Sequence, residues 1–253
     1  NRSDNKEEWQ AISYRFVKDE KGWRVFVSVT LPVGKSISDR RLGVIGVDIN
    51  ADHLAVTGTD RFGNLIEFRT IPCCTYGKSS AQGKAIVSEA VKALITLASD
   101  RRKPLVIEEL DFRKKKAALE KQDRRYARML SPFAYRLIHT VIAARAFDAG
   151  IAVLEESAAY TSVIGREKFA GRYGISGHHA AALVLGRRSN GFSERLPSQL
   201  QVTLPLPIRN RGKHVWSAWA VLSRKAKQRL QSARTVGRVP IQVVTDRKAR
   251  HSL

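Results

Sequence analysis

The stretch Leu42 to Asn50, LGVIGVDIN, constrains this chain more than any other. It is a short apolar, β-branched run closed by a carboxylate, Asp48. Runs of this kind mark strands buried on both faces, and a buried strand is a poor place for an unpaired charge. Asp48 therefore stands at the strand's exit or holds a cation. In the first case it opens a turn with Asn50 and Asp52, both common turn residues. The stretch alone leaves both readings open.

Two further strands follow in a meander. The first, 43–49, leads to 53–59 (HLAVTGT) and then, through the turn Asp60-Arg61-Phe62-Gly63, to 64–70 (NLIEFRT). Pro72 and the CCTYGKSS loop end the meander. A helix is expected over 80–98, with Ile86, Val87, Ala90, Val91, Leu94 and Leu97 on one face. A fourth strand, 104–109 (PLVIEE), again ends in acids. The charged stretch 112–128 reads as a basic helix. Ser131-Pro132 reads as an N-cap with proline at the first helical position. The helix it opens carries Ala134, Leu137, Ile138, Val141 and Ala144 on one face and closes at Gly150. A fifth strand is expected over 150–155, and 178–188 (HHAAALVLGRR) reads as a helix of small residues.

The order β-β-β-α-β-α-β-α fits an α/β mixed sheet flanked by helices, the RNase H-like arrangement. There the first and fourth strands are neighbours, so Asp48 and Glu108 would meet at one edge. Two carboxylates at a shared site raise one another's pKa or bind hard cations. Glu109 alternates to the opposite face. Glu155 and Glu156, ending the fifth strand, are reserve carboxylates with a surface role expected.

Ahead of this region, 11–17 (AISYRFV) and 23–31 (WRVFVSVTL) flank the turn KDEKG and read as a β-hairpin. The polar segment Pro32 to Arg41 places a domain boundary. The chain opens on Asn1 and runs straight into strand-like sequence, so it reads as a fragment. No signal peptide is expected from these opening residues. Beyond 205 the sequence is strongly basic, with Asp246 its one acid. Trp216 and Trp219 interrupt it. Aromatics in basic sequence can stack bases, but the stronger reading is that they anchor one short helix.

Charge narrows the partners. The 253 residues carry 45 Lys+Arg against 23 Asp+Glu, a formal net +22. A bias of this size points to a polyanion, nucleic acid first. A basic membrane-surface protein competes, but no apolar run approaches the roughly 18 residues of a membrane span. The two cysteines, Cys73 and Cys74, are adjacent. They can build neither a disulfide framework nor a four-cysteine zinc ribbon. A reducing, cytoplasmic location is expected.

GVDIN, then VIEELDF at 106–112, YTSVIG at 160–165 and YGISGHHAAALVLGRR at 173–188 resemble the RuvC-like nuclease region of TnpB-type, OrfB-like transposon proteins, relatives of the type V CRISPR effectors. The resemblance covers residues 9–200. It implies an RNA-guided DNA endonuclease with a two-metal site. It assigns 1–41 to the end of a wedge-type β domain, 42–200 to the RuvC-like domain and 201–253 to a basic tail. Asp48 matches the family's first acid and Glu108 its second. The third position departs. The zinc ribbon is missing, so no zinc is expected, and His178 stands where the family has an aspartate before its Asn-Ala-Ala helix start. The chain thus resembles the divergent branch.

Catalytic and metal roles are therefore expected of Asp48, Glu108 and His178, with Mg²⁺ or Mn²⁺ as cofactor. Imidazole suits Mn better than Mg, and His178 could also act as general acid or base. His179 is expected to face outward. Arg113, Lys114, Lys115, Lys116, Arg124, Arg125, Arg187 and Arg188 are expected to hold DNA or guide RNA by charge. A nuclease-impaired nucleic-acid-binding protein is the rival reading. A DNA-joining transposase of the same fold is a third.

Overall fold

A computed structural model describes residues 12–29, 36–109, 132–197, 216–224 and 228. The chain divides into two compact units, Asn1–Ser36 and Ile37–Leu253. The described part of the first is an antiparallel hairpin, β1 (Ile12–Asp19) and β2 (Gly22–Val29), turning at Gly22 with φ 109°.

The second unit is built on a five-stranded sheet. Its strands are β3 (Ile45–Ile49), β4 (His53–Thr59), β5 (Leu65–Pro72), β6 (Leu105–Glu108) and β7 (Val153–Glu156), in the order β5-β4-β3-β6-β7. β3 pairs antiparallel with β4 and parallel with β6, and β6 pairs parallel with β7. The helices are α1 (Ser80–Arg101), α2 (Pro132–Asp148), α3 (Thr161–Gly165), α4 (Gly171–Tyr173) and α5 (Gly177–Ser189). A π-helical turn, Arg166–Ala170, joins α3 to α4. Residues 216–224 form a further helix, α6. A three-stranded antiparallel meander continued by parallel αβ units, with helices on both faces, is the RNase H-like fold.

The expected run at β3 is buried on both faces. Ile45, Val47 and Ile49 pack toward α1 and α2, against Leu94 and Ile138, while Val44 packs with Leu185 of α5. Each such burial contributes roughly 1.5–3 kcal/mol. α5 lies directly on this strand. A Cβ built on Gly46 would stand 2.0 Å from the Ala182 carbonyl oxygen, so only glycine admits the helix backbone here. Ala180 to Leu185 are all buried, as a helix enclosed on every side requires. Ile164 and Phe169 close over its outer side.

α1 buries the expected face and begins at a capping box between Ser79 and Gln82. α2 differs. Ile142 and Ala146 are buried and Ala144 is exposed, because the inward ridge follows the four-residue steps 134, 138, 142 and 146. β7 begins at Val153 and not at 150. Gly150 takes φ 66° and Ile151 N–H donates to Ala146 O, so these residues finish the helix before the strand starts. The basic stretch 112–128, the Ser131 cap and most of the tail lie outside the described residues.

Candidate functional site

Pairing fixes where the acids fall. β3 and β6 are in register at Gly46 and Val106, and Asp48 and Glu108 each stand two residues further on. Alternation therefore gives both the same sheet face as Gly46 and Val106, the face α5 covers. Glu108 is in turn paired with Glu156 of β7. Glu109 is exposed and its N–H donates to Glu156 O.

His178 comes from the first turn of α5. Its Nδ1 lies 3.1 Å from Asp48 Oδ2, and since a carboxylate only accepts, Nδ1–H is the donor. That bond to Asp48 holds the imidazole above its ordinary pKa, against partial burial. The turn reading of Asp48 also holds. Asn50 Nδ2 donates to both the carbonyl and Oδ2 of Asp48, each at 3.1 Å. Next to it Asp52 Oδ1 is 2.6 Å from His53 Nδ1, and the His53 ring meets the His178 ring edge-on at 5.4 Å.

Glu108 has a partner that sequence reasoning missed. Tyr135, 2% exposed at the start of α2, donates its hydroxyl to Glu108 Oε2 at 2.9 Å. Burial, then the nearby Glu108 charge, pushes this phenol well above its usual pKa. The available signal was position alone. Tyr135 lies one turn into a helix whose start faces the strand ends, but its ring reads as core.

His179 is buried and not outward-facing. Its Nε2 lies 3.0 Å from Arg69 O, a carbonyl that can only accept, so Nε2–H donates. Nδ1 then accepts from Ser176 Oγ at 2.7 Å. Burial holds its pKa below the ordinary value. The residue ties the α5 N-terminus to β5, which brings His178 to Asp48.

Arg187 and Arg188 are committed inside the molecule. Arg187, its side chain 17% exposed, ion-pairs with Glu194, donates to Gly63 O at 2.7 Å and stacks on Phe169 and Phe192. Lys168 pairs with the same buried Glu194. Arg188 donates to Ser157 O and Ala159 O and lies over the Trp216 ring. These geometries give both guanidinium groups structural partners. The partners come from distant sequence, so a local reading could not supply them. Trp219 is fully buried and donates to Glu194 O at 2.6 Å, the anchoring role expected of it. Arg113, Lys114, Lys115, Lys116, Arg124 and Arg125 lie outside the described residues.

Two carboxylates and an imidazole are donor types a divalent ion accepts. Among the described residues no three His, Cys, Asp or Glu side chains are gathered to hold a metal ion. Asp48 is turned to His178 and Asn50, Glu108 to Tyr135. Also among the described residues, no helix is long and apolar enough to cross a membrane.

No protein-family model and no curated protein matches the chain. Solved structures do. RuvC of T. thermophilus in complex with a Holliday junction substrate is 17% identical, with a TM-score of 0.39, over 57% of this chain and 90% of that one. Another Thermus thermophilus RuvC structure is 16% identical, with a TM-score of 0.40, over 60% of this chain and 98% of that one. The fold assignment rests on strand order and pairing rather than on these scores.

Proposed function

We propose that this chain is the RuvC-like domain of a TnpB-related, RNA-guided protein that binds DNA and cuts its phosphodiesters at Asp48 and Glu108. The observation that supports it is the delivery of two acids from neighbouring strand ends to one sheet face, with His178 of α5 bonded to one of them. In this reading Asp48 orients the His178 imidazole and keeps a proton on Nδ1. Tyr135 fixes one oxygen of Glu108. The net charge of +22 holds the nucleic-acid backbone, with the 113–125 run and the tail contributing.

A second reading has its own support. With Asp48 bonded to His178 and no three ligands gathered among the described residues, the domain binds nucleic acid without cutting it. One experiment separates them. In the first reading Asp48→Ala and Glu108→Ala each abolish DNA cleavage in Mg²⁺ or Mn²⁺ while binding stays equal or tightens, since a negative charge near phosphate is removed. A parent protein that binds DNA but cuts in neither metal selects the second. Loss of binding in both variants, with the fold intact, makes the acids structural and sinks the first reading.

A further inference from the structure

The opposite end of the central sheet carries a second charged surface. Three chain segments converge there. Asp39 N–H donates to Arg102 O, Ile45 N–H to Pro104 O, and Lys103 Nζ to Thr59 O at 2.7 Å. Gly43 sits so close to the 59–60 backbone that a Cβ would stand 2.0 Å from Thr59 O. The segments 39–42, 59–62 and 100–103 are thus one surface. They hold six basic residues, Arg40, Arg41, Arg61, Arg101, Arg102 and Lys103, against three acids. Two of those acids are already engaged, Asp39 by Arg41 and Asp60 by the N–H groups of Phe62 and Asn64, and a further acid, Glu67 of β5, pairs with Arg101 at 2.7 Å. Lys103 is buried beneath the surface, while the five arginines are exposed.

Apolar groups are exposed among these charges. Phe62 is 59% exposed with the Arg61 guanidinium 4.5 Å from its ring centre, and Leu42 is 45% exposed. Guanidinium planes beside an open aromatic ring suit a backbone whose bases are unstacked. A duplex offers the phosphates but keeps its bases stacked. The five residues from Gly43 to Asp48 separate this pole from the acid by about 17 Å of extended chain, so it is not part of the carboxylate site.

We infer that this arginine pole is a binding surface for single-stranded nucleic acid, gripping the phosphodiester backbone common to RNA and DNA and stacking one base on Phe62. The inference does not require that the chain cut DNA.

The test is fluorescence anisotropy of the full chain with labelled 12-nucleotide single-stranded RNA, single-stranded DNA and a DNA duplex, across a salt series. The variant Arg40→Gln/Arg61→Gln/Arg102→Asn spares the paired Arg41 and Arg101, and asparagine tolerates the left-handed backbone at position 102, where φ is 52°. Lys78→Gln/Lys84→Gln/Lys92→Gln removes the same charge from exposed positions elsewhere. The arginine variant should weaken both single strands about tenfold and lower the salt slope by about 2. The lysine variant should change affinity less than twofold. Phe62→Ala should weaken single strands about tenfold and leave the duplex unchanged. Equal losses in the two triple variants would show diffuse charge, not a site, and overturn the inference. Unchanged binding in the arginine variant, or a stronger effect on duplex than on single strands, would also overturn it. Circular dichroism checks the fold. Cleavage assays on Asp48→Ala report separately on the proposed nuclease, so either idea can fail alone.

Discussion

The two ends of α5 are both rich in groups that carry charge, yet they have opposite characters. At the N-terminal end His178 is half-exposed and bonded to a partly exposed acid. At the C-terminal end Arg187 and Arg188 are enclosed, each with several partners. One end can change partners when a ligand arrives, whereas the other is spent on holding α6, the 191–197 loop and the β7 exit together. Charge in a sequence does not tell these cases apart. The supply of partners from elsewhere in the chain does.

The sharpest way to break the comparison is to remove the acid at the enclosed end. Glu194→Ala leaves Lys168 and Arg187 without their shared carboxylate, and removing one member of a buried pair costs about 3–5 kcal/mol. Urea denaturation should show that loss. An effect under about 1 kcal/mol, the scale of a surface pair, would mean the cluster is solvated and the two ends are alike.

The middle of the helix links them. Gly46→Ala forces a methyl against the Ala182 carbonyl and should cost about 1–3 kcal/mol or more. It should also loosen the His178–Asp48 bond, read as a fall in the His178 pKa by NMR. A destabilised variant with an unchanged His178 would show that the site end moves independently of the strand contact.

At the open end, His178→Asp adds a third carboxylate beside Asp48. Melting temperature in Mn²⁺ or Mg²⁺ should then rise by a few degrees over the metal-free value, as about 1 kcal/mol of binding gives. The parent should gain less in Mg²⁺. No metal response in the variant would show that the three donors cannot gather even with a third carboxylate in place.

The smallest effects come from the adjacent histidines. His178 titrates above the ordinary value of about 6.5 and His179 below it. Stability from His178 is fully present below about pH 6.5 and fades as pH rises through its folded pKa. Stability from His179 is present above about pH 6.5 and fades as pH falls through its folded pKa. Two-dimensional NMR of the imidazoles should show the two values split in that order, and a reversed order would refute the hydrogen-bond assignments.

Periodicity carried much of the fold. The β3 run, the α1 face and the turn at Gly63 follow from local patterns that the tertiary structure does not override. The acids' placement was legible because strand ends and alternation are local too. Partners across the chain were not. Tyr135 meets Glu108 across 27 residues, and Arg187 meets Gly63 across 124. No spacing rule encodes such pairs. His179 was misplaced for the same reason, since its acceptor, Arg69 O, is 110 residues away. Ala144 departed from the expectation because one residue of helix phase decides which side faces inward, and the start of β7 because one glycine cap decides where the helix ends.

Gly46 has a consequence for inheritance. It carries no chemistry, yet its missing side chain sets how closely α5 lies on β3, and through that contact where His178 meets Asp48. A lineage could keep both of those residues and still lose their meeting by a single alanine at this position. The meeting of the two functional side chains therefore depends on a residue with no functional group.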